Sequence, residues 1–144
     1  NNQMQTNYFS KGCTATYDRG AYHAIKNSTA EFHTYSVNWT PERLDWLVDG
    51  VVTRTLLAET VKTSSCGGFP QAPMKVDVGS WVAGKKDASP GTIEWAGGLA
   101  DFSNGPLKTY IKSINVTDDA KGVKNAVQYR YTDMSGRAES IVVE

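Results

Sequence analysis

The chain has 144 residues, enough for one domain with a core of its own and short for two, so residues 1–144 read as a single domain or a portion of one. Fifteen basic and fifteen acidic residues cancel to a formal charge of zero, which removes any electrostatic case for nucleic acid as a partner. No apolar run approaches the ~20 residues of a spanning helix, so no membrane segment is expected on this chain.

Taken in chain order, the elements are strands. Helical periodicity is nearly absent and period-2 alternation recurs. Gln3 to Phe9 reads as a first strand. Phe32 to Thr40 is a second, with His33, Tyr35, Val37 and Trp39 on one face. Thr40-Pro41-Glu42-Arg43 fits one helical turn, with Thr as cap and Pro at the first position. Leu44 to Leu57 gives the clearest local signal, two β-rich runs joined by Asp49-Gly50, a hairpin turn. Met74, Val76 and Val78 share a face of a further strand, and Leu107 to Val116 is a long candidate. Ala126 to Thr132 and Ser140 to Val143 complete the set. Short strands at regular spacing with turn punctuation predict an all-β fold, a sandwich or jelly roll.

The chain opens on Asn1-Asn2-Gln3 without an initiator Met, and reads as a processed product or a fragment. Three glycosylation triplets begin at Asn27, Asn38 and Asn115, and three in so short a chain favour a secretory route. Cys13 and Cys66 both lie in Gly-containing, loop-like stretches. In an oxidising compartment they form one bridge; the alternatives are two free thiols, or pairing with cysteines on a missing segment.

Four Trp and seven Tyr in a small β chain suit sugar recognition, because aromatic faces cover the apolar faces of pyranose rings. Trp39 and Trp46 alternate with apolar neighbours and are assigned to the core. Trp81 enters a Gly-rich loop and Trp95 precedes Ala96-Gly97-Gly98, so both are assigned to a cleft. Gln5 and Asn7 stand two apart on one strand and share a face, either as a pair of hydroxyl-reading amides or as ordinary surface residues. Arg19, Tyr22 and His23 form a polar-aromatic cluster, while His33 is read as structural. With two His in the chain, no Cys/His cluster has metal-ligand spacing, and no nucleotide or phosphate fingerprint is present, so neither metal nor cofactor is expected.

Several stretches, taken together, resemble one family. Gln5-Thr6-Asn7-Tyr8-Phe9-Ser10-Lys11-Gly12 resembles the strand that follows the catalytic motif of glycoside hydrolase family 16. Thr14 to His23, Phe32 to Thr40, Trp46 to Leu56, Phe69 to Val76, and Gly91-Thr92-Ile93-Glu94-Trp95-Ala96-Gly97-Gly98 followed by Tyr110 to Thr117 resemble its fungal Crh branch. The resemblance covers nearly the whole chain in order. It implies a concanavalin A-like jelly-roll β-sandwich, here its C-terminal half, in a secreted fungal cell-wall protein that handles chitin and β-glucan.

The implied chemistry is retaining transglycosylation by two carboxylates ~5–5.5 Å apart. The family carries them in a Glu-x-Asp-x-Glu strand, expected upstream of residue 1 and absent from this sequence. Glu94 is the best-placed carboxylate here and has no partner at strand spacing. The catalytic carboxylates are therefore expected on another segment, and the missing half of the sandwich is either an N-terminal companion chain of a nicked enzyme, a homodimer mate that completes the sheets, or residues upstream of residue 1. The resemblance makes Gln5, Asn7, Arg19, Tyr22, His23, Trp81, Glu94 and Trp95 the substrate-contacting set. The alternative is a catalytically inactive secreted glycan-binding or effector protein derived from the family, and a third possibility is a structural wall protein.

Overall fold

The computed structural model describes residues 2–15, 17–62 and 67–144. The chain divides into two compact units, Asn1–Met74 with Thr117–Glu144, and Lys75–Val116.

The first unit is built of antiparallel ladders. Strand β1 (Gln3–Thr6) pairs with β2 (Ala21–Ala24). β3 (Tyr35–Trp39), β4 (Arg43–Val48) and β5 (Val51–Leu57) form a sheet in sequence order. β6 (Tyr129–Tyr131) pairs with β7 (Ile141–Val143). The Asp49-Gly50 turn joins β4 to β5 with both residues at positive φ, +50° and +79°, as a two-residue hairpin demands. β1 ends at Thr6, earlier than alternation predicts. The Asn7 side-chain Oδ1 accepts the Tyr8 backbone N–H at 2.8 Å, a local bond that competes with continuing the ladder.

The core sits on one face of the three-stranded sheet. Leu44, Trp46 and Leu56 are buried together, and Tyr8, Val61 and Phe69 pack against them. A bulge between Trp46 and Leu47 makes this possible. Val48 pairs with Val51 and Leu47 with Val52, but Trp46 pairs with Arg54 rather than Thr53. The shift brings Leu56 onto the Leu44–Trp46 face; without it, that side chain would point to the other side. The Thr53 hydroxyl donates to the Trp46 carbonyl at 2.9 Å and holds the bulge.

Three expectations are corrected. Trp39 is not core: it is 41% exposed on the edge strand, its indole N–H donating to the Pro70 carbonyl at 3.0 Å. Thr40-Pro41-Glu42-Arg43 is not helical, because the pairing of Trp39 with Leu44 closes it into a hairpin connection. The Thr40 hydroxyl accepts from the N–H groups of Glu42 and Arg43 there. The same Thr/Ser-Pro signal does make a helix in the second unit, α1 (Pro90–Trp95), with Ser89 accepting from the Thr92 N–H and Pro90 at the first position. Finally, neither Met74–Val78 nor Leu107–Val116 enters a ladder among the described residues, and their apolar side chains are exposed. Alternation encodes a two-faced ribbon; a strand also needs a neighbour to take its backbone hydrogen bonds.

The hairpin turn is pinned by an ion pair. Asp49 Oδ2 lies 2.8 Å from His33 Nδ1, and Asp49 Oδ1 accepts the Thr34 N–H at 2.8 Å. The His33 side chain is 9% exposed. The bond to Asp49 raises the imidazole pKa above its ordinary value, and the same bond lowers that of the carboxyl. A raised His contributes its stability in full below ~6.5 and loses it as pH climbs through the folded value; a lowered Asp loses its share as pH falls through its own. The pair thus acts fully between roughly pH 4 and 6.5. Thermal unfolding from roughly pH 5 to 9 should show a Tm decline above neutrality that His33→Gln flattens. An identical decline in the variant would remove this pair from the account.

Candidate functional site

The candidate residues fall in both units, and each group has its own geometry. In the first unit, β1 and β2 place Gln5 opposite Tyr22 and Met4 opposite His23. Directly paired residues share a face, so Gln5 and Tyr22 stand together on the exposed side. The amides of Gln5 and Asn7 converge over Gly20, where an ideal Cβ would lie 3.3 Å from Gln5 Nε2 and 3.8 Å from Asn7 Nδ2. Glycine leaves room for both. Two amide donors beside an exposed phenol can read a polyhydroxylated ring, amides to hydroxyls and the aromatic face to C–H.

The predicted Arg19–Tyr22–His23 cluster is divided by the pleat. His23 faces away from Tyr22, and its Nε2 meets the Thr6 hydroxyl at 2.9 Å. Arg19 lies over the Tyr8 and Phe9 rings, 5.3 and 5.0 Å from their centroids, and donates to the Cys13 carbonyl at 2.9 Å. These two side chains support the wall that Gln5, Asn7 and Tyr22 present.

Sequence reasoning missed the residue that ties this wall to the core. Arg54 donates through Nη1 to the Thr6 carbonyl (3.2 Å) and hydroxyl (2.9 Å), and through Nη2 to the Arg19 carbonyl at 2.8 Å. Its guanidinium lies 4.7 Å from the Trp46 ring centroid and 5.7 Å from that of Tyr8. A regular two-residue hairpin puts Thr53 opposite Trp46, and only the bulge substitutes Arg54. A second missed cluster lies on the opposite face of the sheet. Asp45, 4% exposed, accepts from Arg43 at 2.7 Å and from the Thr55 hydroxyl. Arg43, then Thr55, with Asn38 contributing, hold its carboxyl below the ordinary range.

In the second unit, Trp81 and Trp95 stack with centroids 6.1 Å apart and planes 17° from parallel. They are 66% and 54% exposed. A sugar between them would need about 7–8 Å, twice a carbon contact distance, so no ring fits between the two indoles. Trp81 borders an open depression of about 700 Å³ lined also by Gly84, Gly98, Leu99 and Phe102. Its floor is a close backbone approach, with the Ala100 N–H donating to the Gly84 carbonyl at 2.8 Å. A Cβ at Gly84 would collide with the Gly98 carbonyl. α1 stops at Trp95 because Gly97 and Gly98 take positive φ and return their N–H groups to Glu94 and Ile93. Glu94 is exposed on α1, and Asn115 is exposed in the unladdered run. Cys66 lies outside the described residues. Among the described residues, no group of three His, Cys, Asp or Glu could hold a metal, and no helix is long and apolar enough to cross a membrane.

Antiparallel ladders presenting convergent amides and exposed stacked indoles are the equipment of a carbohydrate-active protein. The chain belongs to glycosyl hydrolases family 16, whose model matches residues 1–97. Within that family its similarity is to Crh-like proteins. It is 47% identical over 139 residues to Crh-like protein CRH11 of Candida albicans, covering 96% of this chain and 29% of that protein. It is 45% identical over 141 residues to Crh-like protein 5 of Aspergillus fumigatus, covering 96% of this chain and 34% of the other. The solved structure of the Crh5 transglycosylase in complex with NAG matches with a TM-score of 0.80 at 43% identity, over 99% of this chain and 57% of that one. The fold class is the jelly-roll β-sandwich of that enzyme. The chain spans about a third of the curated relatives it matches.

The Arg54 bonds can be tested. Arg54→Met keeps apolar volume and removes charge-assisted hydrogen bonds, so it should cost about 2–3 kcal/mol. Arg54→Lys should not restore them, since an ammonium lacks the planar fork. Hydrogen exchange should accelerate selectively in β1–β2. Uniform acceleration through β3–β5 as well would show that Arg54 serves the core rather than the wall.

Proposed function

We propose that this chain forms part of a secreted fungal cell-wall transglycosylase that cleaves a chitin chain and passes it to a β-glucan. The observation that carries the reading is the match over nearly the whole chain to a transglycosylase solved with NAG. In this reading one carboxylate attacks the anomeric carbon while a second protonates the departing glycosidic oxygen; the second then takes the proton of an acceptor hydroxyl that displaces the first. Both carboxylates belong to a companion segment, since the 144 residues contain no Glu-x-Asp-x-Glu. The unladdered runs Met74–Val78 and Leu107–Val116 are patterned to pair with such a segment. Gln5, Asn7 and Tyr22 contact sugar hydroxyls and a ring face, and Trp81 and Trp95 stack on further rings.

The secretory route in this reading calls for a Cys13–Cys66 bridge. Its support is local: Ser10 accepts the Cys13 N–H at 3.0 Å, and its hydroxyl donates to the carbonyls of Gly67 (2.9 Å) and Phe69 (3.2 Å). Ser10 therefore ties the Cys13 turn to the residue that follows Cys66. Non-reducing peptide mapping should find the two cysteines linked, and reduction should cost about 2–4 kcal/mol. Two alkylatable thiols in the natural protein would refute both the bridge and its compartment.

The other reading is an inactive glycan-binding protein derived from the family. A transfer assay on the natural preparation separates the two, with a chito-oligosaccharide donor, a fluorescent β-glucan acceptor and intact mass on the same sample. Labelled product is expected, and no product from a preparation that still binds chito-oligosaccharide would establish the second reading. Trp95→Ala should weaken oligosaccharide binding by ~1–3 kcal/mol, by analogy with base stacking on aromatics. Unchanged affinity would remove that indole from the binding surface.

A further inference from the structure

The three glycosylation triplets are chemically alike in sequence and unlike in the fold. We propose that Asn27 carries an N-linked glycan and that Asn38 stays bare; the inference rests on the secretory route of the reading above. Asn27 lies in the turn after β2, exposed, at φ +54°. Its carbonyl accepts the N–H groups of Ala30 and Glu31 at 2.9 and 3.1 Å, which fixes a tight, outward turn. Its side-chain amide donates to Glu31 at the surface, at 2.7 Å, and Thr29 of the same triplet is exposed. Among the described residues, no hydrogen bond ties that amide to the core or to a ladder.

Asn38 is different at both ends of its triplet. It is exposed but sits within β3 directly opposite Asp45, a carboxylate 4% exposed that Arg43 and Thr55 hold. A saccharide at this ladder position would crowd that buried charge and its partners, and a buried charge that loses partners is costly. The third residue of the triplet, Thr40, spends its hydroxyl on the Glu42 carboxylate at 3.0 Å and on the backbone N–H groups that close the β3–β4 connection. The Asn38 triplet is thus built into a ladder and its hairpin connection, and the Asn27 triplet remains in an exposed turn.

The step needs a lipid-pyrophosphate-linked oligosaccharide as donor. Asn27 Nδ2 forms a bond to the sugar C1 as the C1–O bond breaks. The electron pair leaves on the pyrophosphate, and one amide proton passes to the transferase.

The test uses natural secreted protein treated with peptide N-glycosidase in heavy-oxygen water, which marks each former glycan site as labelled Asp. Label at Asn27 with unmodified Asn38 is expected. Bare Asn27, or label at Asn38, overturns the proposal. The same digest, run without reductant, separates causes: a linked Cys13–Cys66 peptide with bare Asn27 sinks this proposal alone, whereas free thiols with bare Asn27 sink the secretory reading too. Asn27→Gln should lose the mass of one glycan and Asn38→Gln should lose none; a glycan-sized loss from the second variant overturns the assignment.

Discussion

The first unit turns on one guanidinium. Arg54 lies against the Trp46 ring and reaches the backbone of two other segments, at Thr6 and at Arg19. A cation half-buried beside an apolar cluster needs compensation. Among the described contacts this comes from carbonyl oxygens, a hydroxyl and aromatic faces, with no carboxylate within ion-pair distance. Arginine suits this because a planar, weakly hydrated fork can stack on rings while donating at its edge. Lysine could satisfy one of those demands at a time. β1 is four residues long, and an isolated two-stranded ribbon of that length is marginal, so its attachment to the sheet decides whether its amides have a fixed position.

That attachment depends in turn on a defect. In an unbroken β4–β5 ladder Thr53 would face Trp46, and Leu56 and Arg54 would point to the other side. The bulge at Trp46/Leu47 reverses this for every residue beyond it. One extra residue therefore assembles Leu44, Trp46 and Leu56 into a core, brings Arg54 beneath β1, and leaves Thr55 to meet Asp45 on the opposite face. The polar cluster and the apolar one are two consequences of the same shift in register.

This explains which parts of the molecule could be read in the sequence. Asp49-Gly50 specified its turn because the conformation is intrinsic to those two residues, and Ser89-Pro90 could have been read as a helix start by the rule applied to Thr40-Pro41. What separated those two Ser/Thr-Pro signals was tertiary: strands already paired on either side of Thr40 forbid a helical turn, while nothing constrains Pro90 in that way. Trp39 looked like core because alternation shows which face a residue takes, not whether that face is covered, and an edge strand leaves it partly open. Arg54 was invisible because its role exists only after the bulge. The family was legible for a different reason, since long runs such as Gly91 to Gly98 are specific as strings whatever their conformation.

The candidate sugar-contacting side chains share a further property. Most are one or two residues away from a structural anchor on the same strand or turn. Gln5 and Asn7 flank Thr6, which Arg54 and His23 hold; Tyr22 precedes His23; Trp95 lies two residues before the glycines that end α1. In a pleated strand this is the natural arrangement, since alternate residues face opposite sides and a rigid reader needs its neighbour locked inward. The consequence is that loss of binding in a Thr6 or His23 variant says nothing about contact with sugar. Only the outward members can separate contact from support. Gln5 and Tyr22, paired across β1 and β2 and exposed together, are the cleanest place to do it.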